Sequence, residues 1–143
     1  YSYEQGAQVL DQLGDAIDKA EYFRRMVFNV VFSNQDDHVK NISFLMDWRG
    51  KWRLAPDYDV TFAYNPQGPH TSVHQMRIQG KRSGIALEDV VSSGKAMGLA
   101  TRAVNRLIHQ VLETVPLWRI EAEKVGISST TIQEVESHFV LLK

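Results

Sequence analysis

Apolar residues fall at helical spacing from the first turns of the chain. Val9, Leu10, Leu13, Ile17 and Ala20 mark one stripe, which Gly14 weakens or divides. Phe23, Met26, Val27, Val30 and Val31 continue the spacing and predict a second helix over 19–32. Only Asn29 interrupts the apolar run of 26–32, so this helix is expected to be buried on most sides, as the centre of a bundle. Periodicity stops at the polar cluster 33–41. Residues 42–46 and 51–55 then read as two short strands joined by Asp47-Trp48-Arg49-Gly50, with Gly50 available for positive φ and Pro56 ending the second strand. Asn65-Pro66-Gln67-Gly68-Pro69 signals a loop, and polar character persists to Gly84.

From Leu87 the helical pattern returns. Val90, Val91, Lys95 and Met97 belong to one candidate helix that Gly98 closes. Ala103, Val104, Leu107, Ile108, Val111 and Leu112 form a second stripe running towards Pro116. A short helix over 117–125 ends at Gly126. Thr131 and Glu134 have capping-box spacing ahead of Val135, Phe139, Val140 and Leu142. The expected fold is mainly α, a helical bundle with one embedded β-hairpin. No internal repeat or low-complexity segment breaks it up.

Composition narrows the classes. The 143 residues suffice for one domain with a real core. Lys and Arg number 16 against 17 Asp and Glu, so no global charge footprint points to nucleic acid. The absence of cysteine excludes disulfides, thiolate zinc sites and cysteine nucleophiles, and fits a reducing cytoplasm. No apolar run approaches a membrane span. The start, Tyr1-Ser2-Tyr3-Glu4, has neither an initiator methionine nor a signal-peptide pattern, so the chain reads as a piece of a longer protein.

Chemistry concentrates in Asn34-Gln35-Asp36-Asp37-His38-Val39-Lys40-Asn41. Packing does not demand two carboxylates, an imidazole, an ammonium and an amide within eight residues. A solvated loop with capping aspartates is the plain alternative. Phosphoryl transfer, however, needs a carboxylate to orient or deprotonate the attacking hydroxyl and a metal ligand on the same short loop, the D-x-x-x-x-N spacing of Asp36 and Asn41. A second aspartate must then hold the metal. The hairpin can return Pro56-Asp57-Tyr58-Asp59 beside the loop, which nominates Asp59.

The strings NQDDHVKNISFL and LAPDYDV resemble the core signature of the HipA-type serine/threonine kinases, toxins of bacterial toxin–antitoxin pairs. Asp36, His38, Lys40, Asn41 and Ser43 match the loop pattern D-x-H-x-K-N-x-S; Pro56, Tyr58 and Asp59 match the strand-end pattern P-x-Y-D. Met76-Arg77-Ile78, Gly80-Lys81 and Ala96-Met97-Gly98-Leu99 resemble weaker family features, so the likeness spans essentially the whole chain. The resemblance implies a protein-kinase-like C-lobe over 1–143 that uses ATP and Mg²⁺. Asp36 would be the catalytic base, and Asn41 and Asp59 the metal ligands. His38 and Lys40 would lie around the nucleotide phosphates and Tyr58 beside the nucleotide, although Tyr58 reads equally well as a core tyrosine. Asp37 reads as a second acid or, more simply, as a loop-structuring residue, and Asp57 as a turn residue. His70, His74 and His109 read as surface or satisfied structural histidines, and Trp48, Trp52 and Trp118 as packing residues.

A phosphate-cradling loop, a strand lysine and an adenine hinge have no counterpart in these residues. In the family they precede the region matched here, so the missing N-terminal lobe would come from the same longer chain or from a separate subunit, and 1–143 alone are expected to fold without phosphorylating protein. The resemblance further implies a protein substrate, such as an aminoacyl-tRNA synthetase. It also implies a helix-turn-helix antitoxin as partner, with DNA reached only through that antitoxin. Two rivals stand beside it. One is a metal-dependent phosphohydrolase using Asp36, Asp37, His38 and Asp59. The other is a non-catalytic module that docks an antitoxin or DNA, with Lys81, Arg82, Lys95, Arg102 and Arg106 as a basic face.

Overall fold

The structure, a computed structural model, describes residues 1–143. Its first helix, α1 (Tyr3–Leu13), starts at a capping box: Gln5 N–H donates to Ser2 Oγ, and Ser2 N–H donates to Gln5 Oε1. Gly14 ends it, and the Asp15 carboxylate accepts the Ile17 and Asp18 N–H groups to open α2 (Ala16–Val31). Both boundaries differ from the sequence expectation. Gly14 divides the stripe across 9–20, the second of the two effects expected of it; the departure is that α1 starts earlier and the phase resets at Asp15, so that Val9 and Ile17 face solvent while Tyr3, Ala7 and Leu10 are buried.

The central role expected of α2 holds. Tyr22, Phe23, Met26, Val27, Val30 and Val31 are each at most 1% exposed. Burying side chains of this size contributes about 1.5–3 kcal/mol apiece. α2 packs against α1, against the second strand of the hairpin (residues 52–54) and against α4 (Thr101–Leu112), whose Val104, Leu107, Ile108 and Val111 belong to the same apolar cluster. α3 (Leu87–Ala96) approaches closely because of Gly94: a Cβ there would lie 2.6 Å from Val104 Cγ2 and 2.9 Å from Phe23 Cε2. Gly98, at φ 80°, turns the chain from α3 into α4.

The hairpin forms with the expected turn, but its strands are shorter than the pattern suggests. β1 (Phe44–Met46) pairs antiparallel with β2 (Trp52–Leu54) in the register Phe44–Leu54, Leu45–Arg53, Met46–Trp52. Asp47 Oδ1 accepts from Arg49 N–H and Lys51 N–H, and Gly50 sits at φ 79°. Trp48 and Trp52 do not pack as expected: they are 87% and 38% exposed, and the Arg49 guanidinium covers the Trp48 ring at 4.6 Å. The pleat turns Leu54 inward and leaves the tip in solvent.

Helices α5 (Leu117–Lys124) and α6 (Ser129–Glu136) close the chain. Ser128, not Thr131, caps α6, its Oγ accepting from Thr131 N–H, so the expected capping box starts one turn too late. Phe139, Val140 and Leu142 lie beyond α6 in a tail that returns to α2, where Val140 N–H donates to Val31 O. Between β2 and α3 the chain has no regular element. Single bridges pin it instead: Asn34 with Ala63, Ser2 with Arg77, and Ile78 with Lys81. No helix is long and apolar enough to cross a membrane.

Candidate functional site

At its C-terminal end α2 delivers the chain into the polar cluster. Ser33 takes a left-handed conformation (φ 53°) that turns the backbone out of the helix. Residues 33–35 then pair with Ala63 through Gln35 N–H to Ala63 O and Ala63 N–H to Ser33 O. The loop continues into a single 3-10 turn, Val39–Asn41, and on into the hairpin. Arg25 of α2 holds the hairpin's exit, donating to Ala55 O at 2.9 Å and lying 3.6 Å from Asp57. Burial raises the Asp57 carboxyl above its ordinary range, and Arg25 opposes that shift. Asp57 is thus an anchor on α2 and not only a turn residue.

These restraints bring Asp59 back onto the loop. Asn41 Nδ2 donates to Asp59 Oδ2 at 3.0 Å and to Asp36 O at 3.2 Å, so one amide ties both segments and its Oδ1 makes no hydrogen bond. One ligand atom each from Asp36, His38 and Asp59 lie within 4.8 Å of one another. Tyr58 is half exposed and donates to Lys40 O at 2.6 Å; it clips the returning strand to the 3-10 turn and is no core residue. Asp59 itself sits at φ 57°, a left-handed conformation tolerated by aspartate better than by most residues but still strained.

Asp37 points the other way. It is 3% exposed and accepts from the Tyr3 hydroxyl (2.8 Å), His74 Nδ1–H (2.9 Å), Gln75 N–H (2.7 Å) and, more weakly, Met76 N–H (3.5 Å). This is the loop-structuring alternative. It also removes Asp37 from the four-ligand set that a phosphohydrolase would need, because its oxygens are already engaged. His74 is the satisfied buried histidine, whereas His70 is exposed and His109 lies in solvent beside Glu113.

The residues that sequence reasoning missed stand behind the loop. Asn29 Nδ2 donates to the Tyr3 hydroxyl oxygen (3.0 Å), and Asn34 Nδ2 donates to Asn29 Oδ1 (3.0 Å) and to Asp59 O (3.4 Å). The signal was present: Asn29 is the one polar residue in an apolar run, and a polar group on a buried helix face needs a partner. Burial first, and then the Asp37 charge, push the Tyr3 hydroxyl well above its ordinary pKa, so it stays a donor. Tyr22 is raised too, by burial and by the charges of Glu4 and Asp37. A cavity of about 30 Å³ lies here, and its lining includes Tyr22, Asn34 and His38, whose hydroxyl, Oδ1 and Nδ1 have no protein partner. That volume accommodates water.

Two grooves reach the cluster. The first is lined by Asp36, His38 and Lys40 together with loop residues that include Asn65, Pro69, His70 and Thr71. The second is apolar, begins at Val60 and runs past Phe62 to Trp118 and Phe139. Trp118 packs edge-on against Phe139, as expected of a packing residue.

Fold and site together define a mainly helical domain whose one hairpin closes a loop of acids, amide and imidazole around a common point. Known proteins share this fold. The chain matches the HipA-like C-terminal domain over residues 1–118, and it belongs to that family. It is 23% identical over 140 residues to "Putative kinase Y4dM" and 33% identical over 109 residues to "Putative kinase Y4mE", both of Sinorhizobium fredii. Those matches take in 96% and 70% of this chain but 34% and 25% of the relatives, so the chain spans about a third or less of their length. Among solved structures it is similar to a chain of the Shewanella oneidensis toxin–antitoxin complex of HipA, HipB and operator DNA. There the TM-score is 0.70 at 18% identity, over all of this chain and 31% of that one.

Proposed function

We propose that this domain is the catalytic lobe of an ATP- and Mg²⁺-dependent protein serine/threonine kinase. The observation that carries the reading is the convergence of Asp36, His38 and Asp59 within 4.8 Å, with Asn41 bonded to both the Asp36 and Asp59 segments. The donor set fits the ion: Mg²⁺ favours hard oxygen ligands and shares them with phosphates, and Asp59 and Asn41 Oδ1 supply two such oxygens. When bound, Mg²⁺ neutralises charge on the phosphates of ATP, which is the phosphoryl donor.

The chain's own residues would divide the remaining work. Asp36 accepts the proton of the attacking hydroxyl as its oxygen bonds to the γ-phosphorus and the bond to the ADP oxygen breaks. Lys40 and His38 would compensate developing charge on the phosphates. Tyr58 holds the 3-10 turn through Lys40 O and would so steady the loop beside the nucleotide. Asp36 lines a groove with His38 and Lys40, and there the acceptor would enter as a hydroxyl-bearing segment of a protein. An aminoacyl-tRNA synthetase is the family-based substrate, and the rest of a longer protein or a separate subunit would supply the second lobe. A HipB-like antitoxin would be the partner, with DNA reached through it; the similarity to a chain of the Shewanella complex of HipA, HipB and operator DNA supports this reading.

The test is Asp59→Asn in the full-length protein that bears this domain. The amide keeps the size of the side chain but removes its charge. Transfer of labelled γ-phosphate to protein is expected to fall by about a hundredfold or more. Near-normal transfer by a folded variant would refute the metal assignment.

A further inference from the structure

We infer that Asn34, Asn29, Tyr3 and Asp37 form a positioning framework that fixes the candidate base Asp36 relative to the metal ligand Asp59. The inference deepens the kinase reading and rests on it. The hydrogen bonds run in one direction. Asn34 Nδ2 donates to Asn29 Oδ1, Asn29 Nδ2 donates to the Tyr3 oxygen, and the Tyr3 hydroxyl donates to Asp37 Oδ2. Each donor therefore leads towards a charge at the end of the chain, and such series strengthen one another in a low-dielectric interior. The second hydrogen of the Asn34 amide reaches Asp59 O, so two acceptors fix which way that amide faces.

Both ends of the series touch the reacting groups through the backbone alone. Asp37 is joined to Asp36 by a peptide bond and is held by four donors from α1 and from residues 74–76. Asn34 precedes Asp36 by two residues and grips the carbonyl of Asp59 at its left-handed φ of 57°. Tyr3, Asn34 and Asp37 are at most 3% exposed, so water offers little competition. Apolar packing would hold this corner without a directed chain of four polar side chains. None of the four needs to touch substrate, nucleotide or metal, and they act by setting the separation of the two carboxylates.

The experiment uses the full-length protein with Asn34→Ala, Asn29→Ala and the double variant, each assayed well below its melting temperature. Small displacements of reacting groups are costly, so each single variant should lower kcat by about tenfold or more. The Mg²⁺ needed for half-maximal rate should rise comparably, with the KM for ATP within about threefold of wild type. The double variant should be no worse than the worse single one, because both break the same series. Unchanged kcat and Mg²⁺ requirement per folded molecule, with only a lowered melting temperature, would overturn the framework. Amide hydrogen exchange separates this from failure of the kinase reading. Even if Asp59→Asn leaves transfer intact, Asn34→Ala should accelerate exchange at residues 59–63 and leave 104–111 protected. Exchange that rises everywhere, or nowhere, would overturn the inference independently of activity.

Discussion

The two ends of α2 are stabilised by opposite means. Along its length the helix meets α1, β2 and α4 through Phe23, Met26, Val27 and Val30, an apolar seam closed tightly enough that Gly94 leaves no room for a methyl group. At its C-terminal exit Asn29, Asn34 and Asp37 meet their neighbours through directed hydrogen bonds, the last two from a loop with almost no regular structure. Apolar contact is non-directional and tolerates small shifts. A buried hydrogen-bond series does not, because a misaligned donor costs its full desolvation. The seam therefore maintains the fold, and the polar end maintains a geometry.

The comparison can be broken most forcefully at the seam. Phe23→Ala should destabilise the domain by about 4 kcal/mol, read as a lowered denaturant midpoint, with exchange accelerating across α2, α3 and α4 alike. A loss confined to one element would mean that the seam is not one cooperative unit. Asp37→Asn sharpens the other half. Its new amide hydrogens face the Tyr3 hydroxyl and His74, which were donors, so a cost of about 2 kcal/mol is expected. The faster exchange should appear at residues 34–41 and 74–76 while α4 is unchanged; global loosening would erase the distinction between the regions.

The smallest effect lies at Glu4, where the two kinds of contact meet. Its Oε1 accepts from Ser93 Oγ, Gln79 N–H and Gln79 Nε2, tying α1 to α3 and to the 79–80 turn. Burial alone would raise its pKa, but these hydrogen bonds outweigh burial and the net shift is downward. A lowered carboxyl pKa stabilises the fold above the ordinary glutamate range, and the benefit is lost as pH falls through the folded value. Glu4→Gln should cost about 0.5 kcal/mol at neutral pH, given the partial exposure. The gap to wild type should close on acidification towards pH 4 and below. A gap that widened there would reverse the assignment.

What was legible in the sequence follows the same division. The apolar stripes located α2, α3, α4 and α5 to within a few residues, because burial imposes a period that side-chain identity reveals. The hairpin and its turn were legible from Asp47 and Gly50 for the same local reason. Helix starts at Asp15 and Ser128 were missed, since a capping side chain competes with several other polar residues nearby. The spacing of Asp36, Asn41 and Asp59 nominated a cluster that the fold does bring together. The residues behind it were hidden because Tyr3, Asn29 and His74 are distant in sequence from Asp37, and the polar break at Asn29 does not by itself say what the amide pairs with. Trp48 misled because a large aromatic on a strand turn is read as core, whereas here it shelters only under Arg49.

The left-handed backbone at Asp59 bears on how this position can change over generations. Few residues occupy φ 57° without penalty: glycine does so freely, asparagine and aspartate with modest cost. Single-nucleotide changes of an aspartate codon reach both glycine and asparagine. Either replacement would satisfy the chain's shape while removing the carboxylate. On the proposed kinase reading, position 59 is thus a place where a lineage can silence the domain in one step and keep it folded, available to any role that needs only its surface.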